Sequence, residues 1–123
     1  MINWYFGWVS ILTAFVTGAI LGLFFYRDDF LGGYASFRRR IVRLGHIALA
    51  ALGMINILFS ISPMASEPSP QKSIAAVGFI VGGVAMPAVC FLTAWRVGFR
   101  YLFFIPVTAL IIAVAQTLWI GVS

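Results

Sequence analysis

The sequence is poor in the side chains that do chemistry. Its 123 residues include three acidic side chains (Asp28, Asp29 and Glu67), one histidine (His46) and one cysteine (Cys90). They supply no carboxylate pair at acid–base spacing, no Ser/His/Asp set and no phosphate-binding glycine loop. A single cysteine excludes an internal disulfide and a cysteine-based metal cluster within one chain, and the absence of Cys-x-x-Cys-His excludes covalently attached haem. Charge is scarce as a whole: 9% of residues are charged and 63% hydrophobic, against about 25% and about 45–50% in ordinary soluble domains. That imbalance sets the class as an integral membrane protein.

In place of polar surface the sequence has four apolar runs, at residues 4–26, 41–61, 74–95 and 101–120. Each approaches the roughly 20 residues with which a helix crosses about 30 Å of hydrocarbon. The expected fold is all-α, a single transmembrane domain of four bundled helices. The opening MINWYFGW has no basic stretch, and the run behind it is longer than a signal-peptide core, so it is expected to remain as a span. Trp4, Tyr5 and Trp8 at one end of that run and Phe24, Phe25 and Tyr26 at the other read as interfacial belts, as do Trp95, Tyr101 and Trp119 later.

Charge orients the runs. Arg27, Arg38, Arg39, Arg40 and Arg43 lie at the first connection and Arg96 and Arg100 at the third, while only Lys72 lies at the second. The positive-inside rule then makes loops 27–40 and 96–100 cytoplasmic and both termini external, in a bacterial inner membrane as the expected setting. Because the arginines flank apolar runs, the net charge of +5 points to anionic phospholipid or a partner's acidic loop rather than to nucleic acid. Arg38, Arg39, Arg40, Arg43, Arg96 and Arg100 are the candidate contact residues.

The connections differ. Residues 62–73 hold Pro63, Pro68 and Pro70 and are expected to form an extended outer loop without a helix. Residues 27–40 are broken by Gly32-Gly33, with Phe30, Leu31, Tyr34 and Phe37 available to the membrane interface. The third, residues 96–100, leaves room for a tight turn. Runs one and three each carry Gly-x-x-x-Gly and end in aromatics and arginine, but too few residues match in register to call them a repeat.

Small residues mark contact faces, because lipid gives helices no hydrophobic reason to associate and close backbone approach takes over. Ser10, Ala14, Gly18 and Gly22 form one stripe; Gly78 and Gly82, and Ala109, Ala113, Thr117 and Gly121, repeat the device. These stripes can hold the four helices to each other or receive a helix of another subunit. Pro87 and Pro106 interrupt runs three and four, with Pro87 the stronger candidate for a bend.

In the second run His46, Gly53, Asn56 and Ser60 share one flank, since their spacings are close to whole turns. His46, three positions beyond Arg43, reads as an interfacial or inter-helix hydrogen-bonding residue; proton relay and ligation of a metal or haem are its other roles. A bis-histidine haem would have to be shared with a partner chain, because one histidine cannot supply two axial ligands. Asn56 reads as lying near mid-membrane, where an unsatisfied amide costs several kcal/mol, so it requires a carbonyl or Ser/Thr partner on a neighbouring helix.

No ionisable Asp, Glu or Lys falls inside a run, which removes the usual coupling group of a proton- or ion-driven transporter. Together these features predict a non-catalytic accessory or scaffolding subunit of a larger membrane complex, in an energy-transducing electron-transport membrane, with no cofactor of its own. The alternative is a small homo-oligomeric channel or carrier whose pore is lined by His46, Asn56, Thr93 and Gln116.

Overall fold

In the computed structural model, described here for residues 2–27, 29, 33, 36–63 and 68–122 (the side chains at 25 and 122 aside), the apolar runs are continuous helices. They are α1 (Ile2–Phe25), α2 (Phe37–Ile61), α3 (Pro70–Trp95) and α4 (Phe104–Val122), with a 3₁₀ segment, Val97–Phe103, leading into α4. All four, α4 counted with its 3₁₀ lead, are long and apolar enough to cross a membrane.

Two serines set where the inner helices begin. The Ser36 side chain accepts from the Arg39 backbone N–H, satisfying a donor that the first turn leaves open. α2 therefore starts four residues ahead of its apolar run and carries Arg38, Arg39, Arg40 and Arg43 on its first two turns. Ser69 caps α3 in the same way, accepting from Lys72, with Pro70 at the first helical position. Proline is harmless there because its missing N–H would have no helical partner. Residues 70–73 are thus helical, which shortens the expected outer loop and turns Pro70 from a breaker into a starter.

The other proline expectation changes similarly. Pro106 is the third residue of α4, where the 3₁₀ lead passes into α-helix within the fourth span, so its ring falls in a first α turn and not in an α-helix interior. Pro87 lies inside α3, buried, and the helix runs through it from Pro70 to Trp95. The third connection is not a tight turn. Arg96 adopts an extended conformation, its N–H still bonded to Leu92 O, and seven residues of 3₁₀ helix follow. In the first connection Gly33 takes a positive φ of 101°, a conformation that glycine enters without steric cost. The expectations placed on Phe30, Leu31, Gly32 and Tyr34 lie outside the described residues; Phe37 opens α2 and is exposed.

The helices pack in chain order, α1 on α2, α2 on α3 and α3 on α4, with a small α1–α3 contact. The bundle is consequently open, with α2 and α3 inside and α1 and α4 presenting broad faces outward. Its apolar core divides in two. Ile41, Val42, Cys90 and Ala94 pack at the arginine-bearing end, with Leu21, Phe91 and Phe103 against them. Phe59, Ala75, Phe79 and Ala113 pack at the opposite end. Leu12, Phe15 and Ile20 of α1 and Ile111, Leu118 and Trp119 of α4 stay largely exposed, surfaces that suit hydrocarbon and would be a liability in water.

Most of the small-residue stripes are used inside the molecule. A Cβ placed on Gly78 would stand 2.9 Å from the Ala113 methyl and 3.0 Å from the Ala109 carbonyl, and Leu110 covers Gly82. Gly22 departs from its expected role as a packing residue: nothing lies within 4 Å of where its Cβ would be. Gly22 is exposed, so the last glycine of the stripe faces outward.

Candidate functional site

The polar side chains gather along the antiparallel seam between α1 and α2. At one end Asn3, the second residue of α1, donates through Nδ2 to Asn56 Oδ1 at 2.8 Å and to the Ala76 carbonyl of α3 at 3.1 Å. Asn56 in turn donates to Leu52 O at 2.8 Å and to Phe79 O at 3.2 Å. These two amides knot three helices together, and both are buried, Asn56 at 0% exposure and Asn3 at 4%. One turn along, Gly7 and Gly53 bring the two backbones into contact. Further on, Ser10 Oγ donates to Leu49 O at 2.7 Å.

His46 closes the seam. Its Nε2 lies 2.7 Å from the Ala14 carbonyl; a carbonyl can only accept, so this contact assigns the proton to Nε2. Gly18 lies against the ring, where a Cβ would come within 2.6 Å of Nε2, so the glycine makes room for the imidazole. With its proton on Nε2, the ring offers no lone pair at that atom to a metal.

Along the paired helices His46 lies nearer mid-length than Asn56 does. His46 meets α1 at Ala14, midway along that helix, whereas Asn56 pairs with the start of α1 and lies five residues from the end of α2, about 7.5 Å at 1.5 Å per residue. Asn3 was not anticipated at all. The signal was present, because positions 3, 7, 10, 14 and 18 continue one face of α1.

The remaining hydroxyls are mostly occupied by their own helices. Thr13 donates to Val9 O, Thr17 to Thr13 O, Ser60 to Ile57 O and Thr117 to Ala113 O. Thr93 Oγ1 is buried with no hydrogen-bond partner. The four residues expected to line a pore do not converge: Asn56 and Thr93 have no exposed surface, His46 turns to α1, and Gln116 borders a groove with Gln71 and Trp119 on α3 and α4. Among the described residues no three His, Cys, Asp or Glu side chains cluster as a metal site.

The arginines separate into two kinds. Arg39 is only 3% exposed and donates through Nη1 to the Arg27 carbonyl just beyond α1 at 3.3 Å. It ties the head of α2 to the end of α1 and does not belong with the lipid- or partner-contacting set. Arg38 and Arg40 are exposed and Arg43 half-buried. Arg96 stacks over Trp95 at 5.0 Å; Arg100 sits 4.9 Å from the Tyr101 ring centre and donates to its hydroxyl at 2.9 Å. Arg39→Gln should therefore cost about 1–3 kcal/mol, the penalty of a buried polar contact broken, while Arg40→Gln stays within about 0.5 kcal/mol. Reversible unfolding of the two variants in mixed micelles checks the difference.

Comparison of the chain with family models, curated proteins and solved structures finds no match.

Proposed function

We propose that the chain is a non-catalytic scaffolding subunit of a larger complex in an energy-transducing membrane, an electron-transport assembly of a bacterial inner membrane. The observation that carries this reading is the fate of the polar groups within the helices. Asn3, Ser10, His46 and Asn56 are all taken up in bonds between the chain's own helices, so the seam is a fastening and not a reaction site. What faces outward is apolar surface on α1 and α4 and a set of arginines at one end. In this reading loops 27–40 and 96–100 are cytoplasmic, both termini are external, and Arg38, Arg40, Arg43, Arg96 and Arg100 meet anionic headgroups or a partner's acidic segment.

Photo-crosslinking residues introduced at Phe15 on α1 and Leu118 on α4, both exposed, test it in intact membranes. Adducts with discrete, different polypeptides are expected. Adducts with lipid and with the chain itself alone would end the reading. The homo-oligomeric channel requires Asn56 and Thr93 at a wetted surface, and both are enclosed; solute flux from liposomes that disappears with Asn56→Leu would favour it instead. A haem shared with a partner would take His46 through Nδ1 or require Nε2 to leave Ala14 O, and a Soret band lost on His46→Ala would reveal it.

A further inference from the structure

We propose that the cleft between α2 and α3 at the arginine-bearing end seats one anionic phospholipid, with its phosphate on Arg38 and an acyl chain running past Phe91 toward α1. The cleft, of about 490 Å³, is lined by Arg38, Val42, Phe91, Ala94 and Trp95. A second groove of about 260 Å³ is lined by Thr17, Ile20 and Leu21 of α1 together with the same Val42 and Phe91. Those two side chains are a common wall, so the cleft at Arg38 adjoins a groove that leads along α1. The second groove is apolar throughout, because Thr17 turns its hydroxyl to the carbonyls of Thr13 and Ala14.

Charge gives the sign of the ligand. Seven of the eight basic residues lie at this end of the chain. Among the described residues the one carboxylate is Asp29, and it pairs with Arg27 at 3.8 Å. Among the described residues no carboxylate stands against Arg38, and Trp95 beside it, carrying Arg96 on its face, has the amphipathic character of a headgroup-level rim. The apolar groove decides between lipid and protein: an acidic peptide could answer Arg38, but only a hydrocarbon chain follows the floor of Phe91 and Leu21 away from the charged end. The proposal rests on the membrane-spanning fold and not on the scaffolding role, so each can fail alone.

Native mass spectrometry of the full chain in mild detergent, supplied with phosphatidylglycerol or with phosphatidylcholine of identical acyl chains, tests it. One phosphatidylglycerol should be retained, about fivefold in preference to phosphatidylcholine. Arg38→Gln should lower retention about fivefold, the factor expected for one arginine at an anionic surface. Ile20→Trp should lower it comparably with charge unchanged, by filling the groove from its exposed side. Arg40→Gln, also exposed but outside the cleft, should leave it unaltered. Circular dichroism of each variant establishes that the helices persist. Equal losses from Arg38→Gln and Arg40→Gln would show diffuse charge without a seat and overturn the proposal, as would full retention by Ile20→Trp. An acidic polypeptide in place of lipid on the chain taken from native membranes would overturn it too.

Discussion

Gly7→Ala destabilises the α1–α2 pair by about 1–3 kcal/mol, the cost of forcing atoms into a packed interface. The added methyl would stand 2.5 Å from the Gly53 carbonyl oxygen and equally close to Ile57 Cγ1. An isoleucine side chain can rotate away; a backbone oxygen moves only if its helix moves. The approach is mutual, since a Cβ on Gly53 would meet the Gly7 carbonyl at 2.8 Å. Separation of the helices also lengthens the bonds on either side of the contact, Asn3 to Asn56 and Ser10 to Leu49 O. The sign opposes the general preference of helices for alanine over glycine, worth about 1 kcal/mol. Gly22→Ala makes the matched control: with open space at its Cβ position, it should be neutral or slightly stabilising. Unfolding of both variants in mixed micelles measures the contrast, and a Gly7→Ala protein as stable as the parent would refute the close contact.

Asn56→Leu carries the second large effect. It removes the acceptor for Asn3 and the donor to Phe79 O, leaving Asn3 with the Ala76 carbonyl as its remaining partner. An individual hydrogen bond between membrane helices averages only about 0.6 kcal/mol. A buried polar group stripped of its partner costs more, about 1–3 kcal/mol, and that larger figure governs here because both amides are enclosed. Asn3→Leu should behave alike. The double variant Asn3→Leu/Asn56→Leu should cost less than the two singles added, since the second change removes a group that the first left one partner short. Strict additivity in the same unfolding measurement would mean that the two amides do not act together.

The four helices were legible because each apolar run has the length that a membrane imposes, and hydrophobicity alone reports that. Their ends were not. Ser36 and Ser69 act from outside the apolar runs, through one side-chain hydrogen bond each, and so the arginine turn of α2 and the first turn of α3 were read as loop. Pro70 and Pro106 looked like breakers for the same reason: proline is disruptive in a helix interior and harmless in its first turn, and only the boundary tells which applies.

The seam was legible in part. Four-residue spacing exposed Ser10, Ala14 and Gly18, and the helical period placed His46, Gly53 and Asn56 on one flank. Asn3 and Gly7 continue the same face but stand among Trp4, Tyr5 and Trp8, whose interfacial character drew the reading of that segment toward the surface. Arg39 is the clearest limit. Three successive arginines are chemically identical in sequence, yet neighbours on a helix point about 100° apart, so when Arg39 turns inward to Arg27 O, Arg38 and Arg40 are left outside.

Under the proposed function the in-helix polar groups are a fastening and the chain works by assembly with other proteins. The most direct measurement is the mass and composition of the particle obtained when native membranes are extracted gently with their own lipids retained. The expected result is a particle in which this chain is a minor component, accompanied by different polypeptides in fixed ratio. A particle containing only this chain, as monomer or closed homo-oligomer, would contradict it.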